Sequence, residues 1–324
     1  MNLLKKTALT SSVLTITAIG HAQNRDSIPH KVIAFAADKF PLARDFNVEY
    51  TQVSPYKFSS QLHDTELPEN KVKNFSQVKV SSTINFIKRK KWILGTTLNY
   101  RYTSVNTENP MSLSATGNQK SSFHYHSETL NFVYFSRLFN KTMIYSANAS
   151  VDGSDQHFER LRGMATATMV LKANAQTKIA VGLVGIIDPS SQVPVIPTFT
   201  YEHKFNNGWT ADIILPQKVL LRKDVFTNGR ISLGSEMNTT SFYMYSVDKT
   251  YEFRQLEINS GAIYEHKFGG FIGTLKTGVR AVPNSRIFEK TESFKDYIFE
   301  AKPKPSLYVN IGVSYNPFGN PKAK

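Results

Sequence analysis

Leu307-Tyr308-Val309-Asn310-Ile311-Gly312-Val313-Ser314-Tyr315 alternates without a break. Leu307, Val309, Ile311, Val313 and Tyr315 fall on one side of an extended chain, and Tyr308, Asn310, Gly312 and Ser314 on the other. A period of two marks a strand, whereas a helix brings together residues three and four apart. The pattern recurs upstream. Trp92, Leu94, Thr96, Leu98, Tyr100 and Tyr102 oppose Ile93, Gly95, Thr97, Asn99, Arg101 and Thr103. Val78, Val80, Ile84 and Phe86 oppose Lys79, Ser81, Thr83 and Asn85. Ala165, Ala167, Met169, Leu171 and Ala173 oppose Thr166, Thr168, Val170, Lys172 and Asn174, while the strand through Ile179, Val181 and Leu183 is apolar on both faces.

One such strand fits a soluble sandwich equally well. Length and repetition decide against it. Soluble strands average about five or six residues, whereas a tilted membrane-crossing strand needs roughly 9–11. Strands are expected near 44–54, 74–87, 92–105, 123–137, 142–153, 160–174, 177–187, 194–205, 208–215, 217–225, 229–245, 251–268, 270–282 and 306–318. That is about 14, an even number as bacterial single-chain barrels have, with about 12 the alternative. Tight turns at Lys88–Lys91, Asn140-Lys141, Ala175-Gln176, Asn206-Asn207, Thr227-Asn228 and Gly269 alternate with a set that includes long loops over 55–73, 106–122 and 283–305. The expected fold is all-β: a closed antiparallel transmembrane β-barrel with short periplasmic turns and longer extracellular loops. Aromatics cluster at the tight turns. Trp92 and Trp209, the two tryptophans, each open a strand there; Phe205, Phe268 and Phe271 flank such turns and Phe318 closes the last strand. Rings of this kind are stable at a lipid–water boundary, so these six are read as a membrane-interface girdle.

Composition narrows the chemistry. The 324 residues are 40% hydrophobic and 12% aromatic, too apolar for a disordered chain. The absence of cysteine removes disulfides, thiolate metal sites, thiol nucleophiles and a lipoprotein anchor. No apolar run reaches the roughly 18–20 residues of a membrane-crossing helix. Residues 1–22 combine Lys5-Lys6, an uncharged apolar stretch and small residues Gly20 and Ala22, the three parts of a cleavable signal peptide. Residues 23–43 are expected as a periplasmic or plug segment, 44–318 as the barrel and 319–324 as a tail.

Tyr201-Glu202-His203-Lys204-Phe205 recurs unchanged as Tyr264-Glu265-His266-Lys267-Phe268, each copy before a small turn. Equivalent places in two hairpins explain the repeat better than a metal or catalytic pair. With Asp212-Ile213-Ile214-Leu215-Pro216, Pro283-Asn284-Ser285-Arg286-Ile287-Phe288 and Asn310–Phe318, these hairpins resemble an uncharacterised family of Gram-negative outer-membrane β-barrels classed as a domain of unknown function. The resemblance covers most of the mature chain, implies a barrel in the bacterial outer membrane and carries no active residues. The final strand is also similar to the C-terminal assembly signal of such barrels.

If the apolar faces meet lipid, the polar faces line a lumen; a charge on the lipid side costs roughly 2–4 kcal/mol near the midplane. Alternation then places Lys79, Arg101, Arg162, Lys172, Lys204, Arg222, Arg230, Lys267, Lys276 and Arg280 inside, against Asp152, Glu202, Asp224, Glu236, Glu257 and Glu265. The candidate solute contacts among them are Lys79, Arg101, Arg162, Lys172, Arg222, Arg230, Glu236, Glu257, Lys276 and Arg280. The excess of bases, in a chain of formal net charge +14, gives a mildly positive lumen that favours small anionic solutes. His124, His126 and Glu128 share a strand face, but their ladder spans more than one ion bridges. Ser127 points away from His126, against a hydrolytic pair. No phosphate loop or dinucleotide motif occurs, and the basic residues are dispersed rather than arrayed for nucleic acid. The expected function is a passive channel or solute-binding pore, not an enzyme, with no cofactor, metal or catalytic residue. A filled structural or adhesive barrel and a hydrolase at the outer rim are the alternatives. The expected partners are outer-membrane lipid, lipopolysaccharide and the barrel assembly machinery.

Overall fold

In the computed structural model, residues 28–108, 118–188, 190, 191 and 193–317 are described. The signal segment 1–22, Phe318 and the tail 319–324 lie outside them. The chain opens with helix α1 (Ile28–Lys39) and a 3-10 turn (Pro41–Ala43). Sixteen extended segments follow: β1 (Phe46–Val53), β2 (Tyr56–Leu62), β3 (Thr65–Lys88), β4 (Trp92–Glu108), β5 (Asn118–Leu138), β6 (Lys141–Gly153), β7 (Phe158–Ala173) and β8 (Thr177–Ile187). The remainder are β9 (Val195–Lys204), β10 (Trp209–Leu215), β11 (Lys218–Val225), β12 (Gly229–Tyr245), β13 (Thr250–Phe268), β14 (Phe271–Glu289), β15 (Tyr297–Pro303) and β16 (Ser306–Tyr315).

All neighbours pair antiparallel, and the ring closes because β1 pairs with β16 on one edge and β3 on the other. β2 and β15 are the outer continuations of β1 and β16. β2 pairs with the outer part of β3 and with β15, and β15 with the outer part of β14. Prolines explain the two breaks. Pro55 and Pro305 carry no N–H to give a ladder, and beside them Ser54 N donates to Leu307 O and Lys304 N to Lys57 O, each at 2.9 Å. The result is a closed 14-strand antiparallel barrel, a structure that leaves no backbone edge to lipid.

Burial is inverted relative to a water-soluble protein. On β16, Leu307 is 63% and Ile311 56% exposed, whereas Asn310 is 5% and Ser314 1%. Apolar side chains on the outer surface and polar ones within are stable only when the outer solvent is hydrocarbon. No helix among the described residues is long and apolar enough to cross a membrane.

All six expected tight turns lie at one end of the barrel, with α1. The outer end differs from expectation. The stretches over 55–73 and 283–305 are not bare loops but strands that raise the wall. Within the second of these, Arg286, Ile287 and Phe288 pair with Glu300, Phe299 and Tyr297. The β-branched and aromatic residues on both sides favour that ladder. Pro283, read as a strand end, sits in an irregularity between Ala281 and Asn284 of β14, where a missing N–H is tolerated.

Gly234, Gly261 and Gly278 stand side by side on β12, β13 and β14. A Cβ on Gly234 would lie 2.0 Å from Val219 O, on Gly261 2.1 Å from Thr277 O, and on Gly278 2.0 Å from Ser260 O. No side chain fits at any of the three, so the sheet can crease there. β10 and β11 are short, and β12 outruns β11 beyond Glu236. Past the crease, β12 crosses the lumen: Phe242 stacks on Phe123 of β5 at 3.9 Å and on Phe253 at 4.4 Å.

Candidate functional site: the lumen

The inner wall carries three arrangements of charge along its length. At the tight-turn end, α1 lies inside the barrel. Its apolar side supplies Ile33, which packs with Ile93 and Phe135 of the wall, flanked by Val32, Val133 and Ile144. Its polar end meets a ring of charges. Lys39 pairs with Glu202 and with Asp212 at 3.0 Å, and Asp38 with Arg230 at 2.7 Å and Arg222 at 3.3 Å. Arg44, just past the helix, reaches Glu265 at 2.9 Å and Ser314 Oγ at 2.6 Å. Burial works to raise the Asp38 carboxyl, but Arg230, Arg222 and Lys39 outweigh it and hold that carboxyl well below the usual range.

At the loop end the charges belong to the wall and its loops. Arg162 bonds Asp152 at 2.7 Å, Asp188 at 2.9 Å and Glu252 at 3.0 Å. Arg160 joins Asp188 and Glu252, and Arg254 joins Glu252 at 2.7 Å. Tyr243 donates to Asp152 at 2.6 Å. Three guanidinium groups thus face three carboxylates, above the stacked Phe123, Phe242 and Phe253. The exposed edge of β12 is also satisfied here: Arg101, from the opposite wall, donates to Thr239 O at 3.4 Å and to Ser241 O. Those carbonyls lie beyond the stretch that pairs with β11, so the guanidinium takes the place of a strand.

Between the two ends lies a cavity of about 400 Å³. Lys79, Arg101, Lys276 and Arg280 line it with Glu49, Glu236 and Glu257, and amides from Asn47, Asn99, Asn238, Asn259 and Asn310 fill the gaps. Lys276 is tied to Glu236 at 2.7 Å and Arg280 to Glu257 at 3.1 Å. Glu49 accepts from Asn47 at 3.0 Å and Asn310 at 3.2 Å. Lys79 and Arg101 are register neighbours on β3 and β4, and neither makes an ion pair among the described residues.

A family model described as a domain of unknown function, DUF6268, matches residues 22–316. The chain belongs to that family. No curated protein matches it. Among solved structures, this DUF6268 chain is similar to an outer membrane channel from Pseudomonas putida F1, at 11% identity and a TM-score of 0.36, over 82% of this chain and 93% of that one. A FadL homologue from Pseudomonas aeruginosa follows at 10% identity and a TM-score of 0.33, over 87% and 94%. The outer membrane protease OmpT from Escherichia coli gives 8% and 0.29, over 83% and 96%. The channel and protease activities belong to those proteins.

The candidate contacts distribute unevenly. Lys79, Arg101, Glu236, Glu257, Lys276 and Arg280 line the main cavity. Arg222 and Arg230 line a smaller one beside α1. Arg162 belongs to the loop-end cluster. Lys172 joins neither cavity: it is exposed, beside an irregularity between Val170 and Lys172 that interrupts the ladder near the turn. Phe205, Phe268 and Phe271 are exposed at the tight turns, Trp92 and Trp209 half-buried there. Several charged residues absent from the expected interior are central to it, among them Asp38, Asp188, Asp212 and Glu252. Strand parity already places Asp212 with Thr210, and Glu252 with Arg254. Asp188 lies in a loop and Asp38 on a helix, where no period of two applies. The repeated pentapeptide carried a stronger signal than its turn context: Glu202 and Glu265, the equivalent acids, pair with Lys39 and Arg44. At the outer rim, Asp152 is engaged by Arg162, Tyr125 and Tyr243, and His157 faces the Tyr245 ring. No set of three or more metal-ligating groups occurs among the described residues.

Proposed function

We propose that the protein is a gated solute-binding channel of the bacterial outer membrane, with α1 as its periplasmic gate. The carrying observation is α1 itself, held inside the lumen by side-chain ion pairs and one apolar contact, directly below a hydrophilic cavity. The polar cavity supports passage of a water-soluble molecule, and the tight turns beside α1 support the periplasmic side for that end. Net positive character at Lys79 and Arg101 supports anion preference.

Planar-bilayer conductance tests this reading on three forms: the native chain, an Arg44→Glu form with a loosened plug, and Arg44→Glu combined with Phe242→Ala at the loop end. The expected series is rare steps, more frequent steps and steady conductance. Silence in the doubly released form overturns the channel and returns the chain to a filled structural barrel. That second reading draws on the loop end, where the stacked phenylalanines and the three-arginine cluster pack like a protein core.

A further inference from the structure

The cavity holds two kinds of unmet bonding capacity. Lys79 and Arg101 are directly opposed on neighbouring strands, a like-charge pair that costs stability unless an anion lies between or before them. The Arg101 guanidinium is more than nine-tenths buried and fixed by Thr239 O and Ser241 O, with its face 4.6 Å from the Tyr125 ring, yet its Nε has no hydrogen-bond partner. Lys79 Nζ makes neither ion pair nor hydrogen bond among the described residues. The nearby carboxylates compensate them only in part: Glu236 and Glu257 are committed to Lys276 and Arg280, and Glu49, opposite Lys79 on β1, leaves the four cations of the cavity facing three carboxylates.

The second kind is opposite in sense. Asn310, nine-tenths buried, spends its amide hydrogens on Glu49 and Thr51, and its Oδ1 is unpartnered; Asn259, half-buried, also has an unpartnered Oδ1. An inorganic anion would satisfy the cations while offering these acceptors at most one or two O–H donors. A neutral sugar would do the reverse. A buried polar atom left unpaired costs about 1–3 kcal/mol, so the complementary ligand carries both anionic oxygens and several O–H donors.

The geometry points to a binding site for a small hydroxylated organic anion, of the sugar-acid or sugar-phosphate class, seated with its anionic group on Lys79 and Arg101 and its hydroxyls on Asn259 and Asn310. The volume, about 400 Å³, matches a molecule of that size. The inference deepens the channel reading, yet it is read by binding rather than by current, so each can fail while the other stands.

Equilibrium titration calorimetry on the detergent-solubilised full chain decides it, using glucuronate, glucose 6-phosphate, glucose and inorganic phosphate. Each is applied to the native form and to Arg44→Glu, which loosens the plug and leaves Lys79, Arg101, Asn259 and Asn310 of the cavity wall in place. At least one sugar anion is expected to bind about tenfold or more tightly than both glucose and phosphate. Which one does so tells a carboxylate site from a phosphate site. Lys79→Met, a substitution that keeps the stem's bulk, is expected to abolish that preference for the anion over glucose. Its heat-modifiable mobility on a gel reports that the barrel is intact. Equal binding of glucose, equal binding of bare phosphate, or no binding by the Arg44→Glu form overturns the site.

Discussion

At the tight-turn end the lumen is stopped by a separate segment, whose ion pairs run from a helix to the wall; at the loop end it is stopped by the wall itself, whose ion pairs run from strand to strand and loop. Among the described residues α1 makes no backbone-to-backbone hydrogen bond to any strand, its Lys39 O being reached only by the Lys218 side chain, whereas Phe242 and Tyr243 lie within the continuous ladder of β12 and β13. Moving α1 out breaks side-chain contacts only. Moving the loop-end stop means unbending a sheet. Similar charges therefore serve two ends of unlike mechanical character, one built to be displaced and one to stay.

The largest effect that breaks this contrast is expected at the glycine row. Gly261→Val sets a branched side chain against Thr277 O, where even a Cβ would come to 2.1 Å. The folded, heat-modifiable form should be lost. Gly185→Ala is the control, since its Cβ would meet only Ala165 O at 3.8 Å, and it should assemble normally. Equal assembly of both variants would remove the crease from the account of how the loop end closes.

A smaller effect separates the two ends directly. Glu252, fully buried, holds Arg160, Arg162 and Arg254 together. Glu252→Gln leaves three buried guanidinium groups facing two carboxylates, Asp152 and Asp188, and is expected to cost about 3 kcal/mol of barrel stability, read as a lower urea midpoint. Glu265→Gln, at the plug, removes the partner of Arg44 and Arg230. It should shift that midpoint less while admitting solute. The native chain has no cysteine, so a single Asn99→Cys in the cavity reports access by its rate of reaction with a charged thiol reagent. Equal midpoint losses, with no faster labelling in Glu265→Gln, would erase the distinction.

How much of this is readable from the amino acids follows the same divide. A period of two carries over the whole wall, so the strand ring, its tight turns and the inward set Lys79, Arg101, Lys276 and Arg280 are legible from alternation alone. What alternation does not carry is a property of the bends and of segments that are not strands. The crease depends on three glycines more than fifteen residues apart in sequence, each unremarkable until the register aligns them. The plug depends on a short helix whose docking patch, Ile93, Phe135 and Ile144, looks like an ordinary break in the pattern. The outer wall was hidden by Pro55, Pro283 and Pro305, which read as strand ends and are in fact interruptions within longer strands.

Acidity sharpens the comparison further. The Asp38 carboxyl sits below its usual range, facing Arg230 and Arg222 from the wall and Lys39 from its own helix, with Glu202, Glu265 and Asp212 as the neighbouring acids. A depressed acid contributes stability that is fully present above its unfolded value of about 3.9 and is lost as pH falls through its folded one. Labelling at Asn99→Cys should therefore be flat above about pH 5, after correction for thiolate fraction, and rise only in stronger acid. A rise centred near neutrality would mean that some group other than this carboxylate controls the plug.

The smallest effect concerns the apolar tether. Ile33 touches Ile93 and Phe135 inside the barrel, the one buried hydrophobic cluster joining α1 to the wall among the described residues. Ile33→Val removes one methylene and is expected to cost about 0.5–1.5 kcal/mol. If α1 is a displaceable stop, that cost falls on the closed state alone. The urea midpoint of the barrel then stays where it is, and labelling of the cavity cysteine speeds up roughly two- to tenfold at a 1.4 kcal/mol-per-decade exchange. If α1 is instead part of the folding core, the same methylene lowers the midpoint and leaves labelling unchanged. One substitution thus asks which kind of element the helix is, and because the two answers move different observables, neither can be mistaken for a weak version of the other.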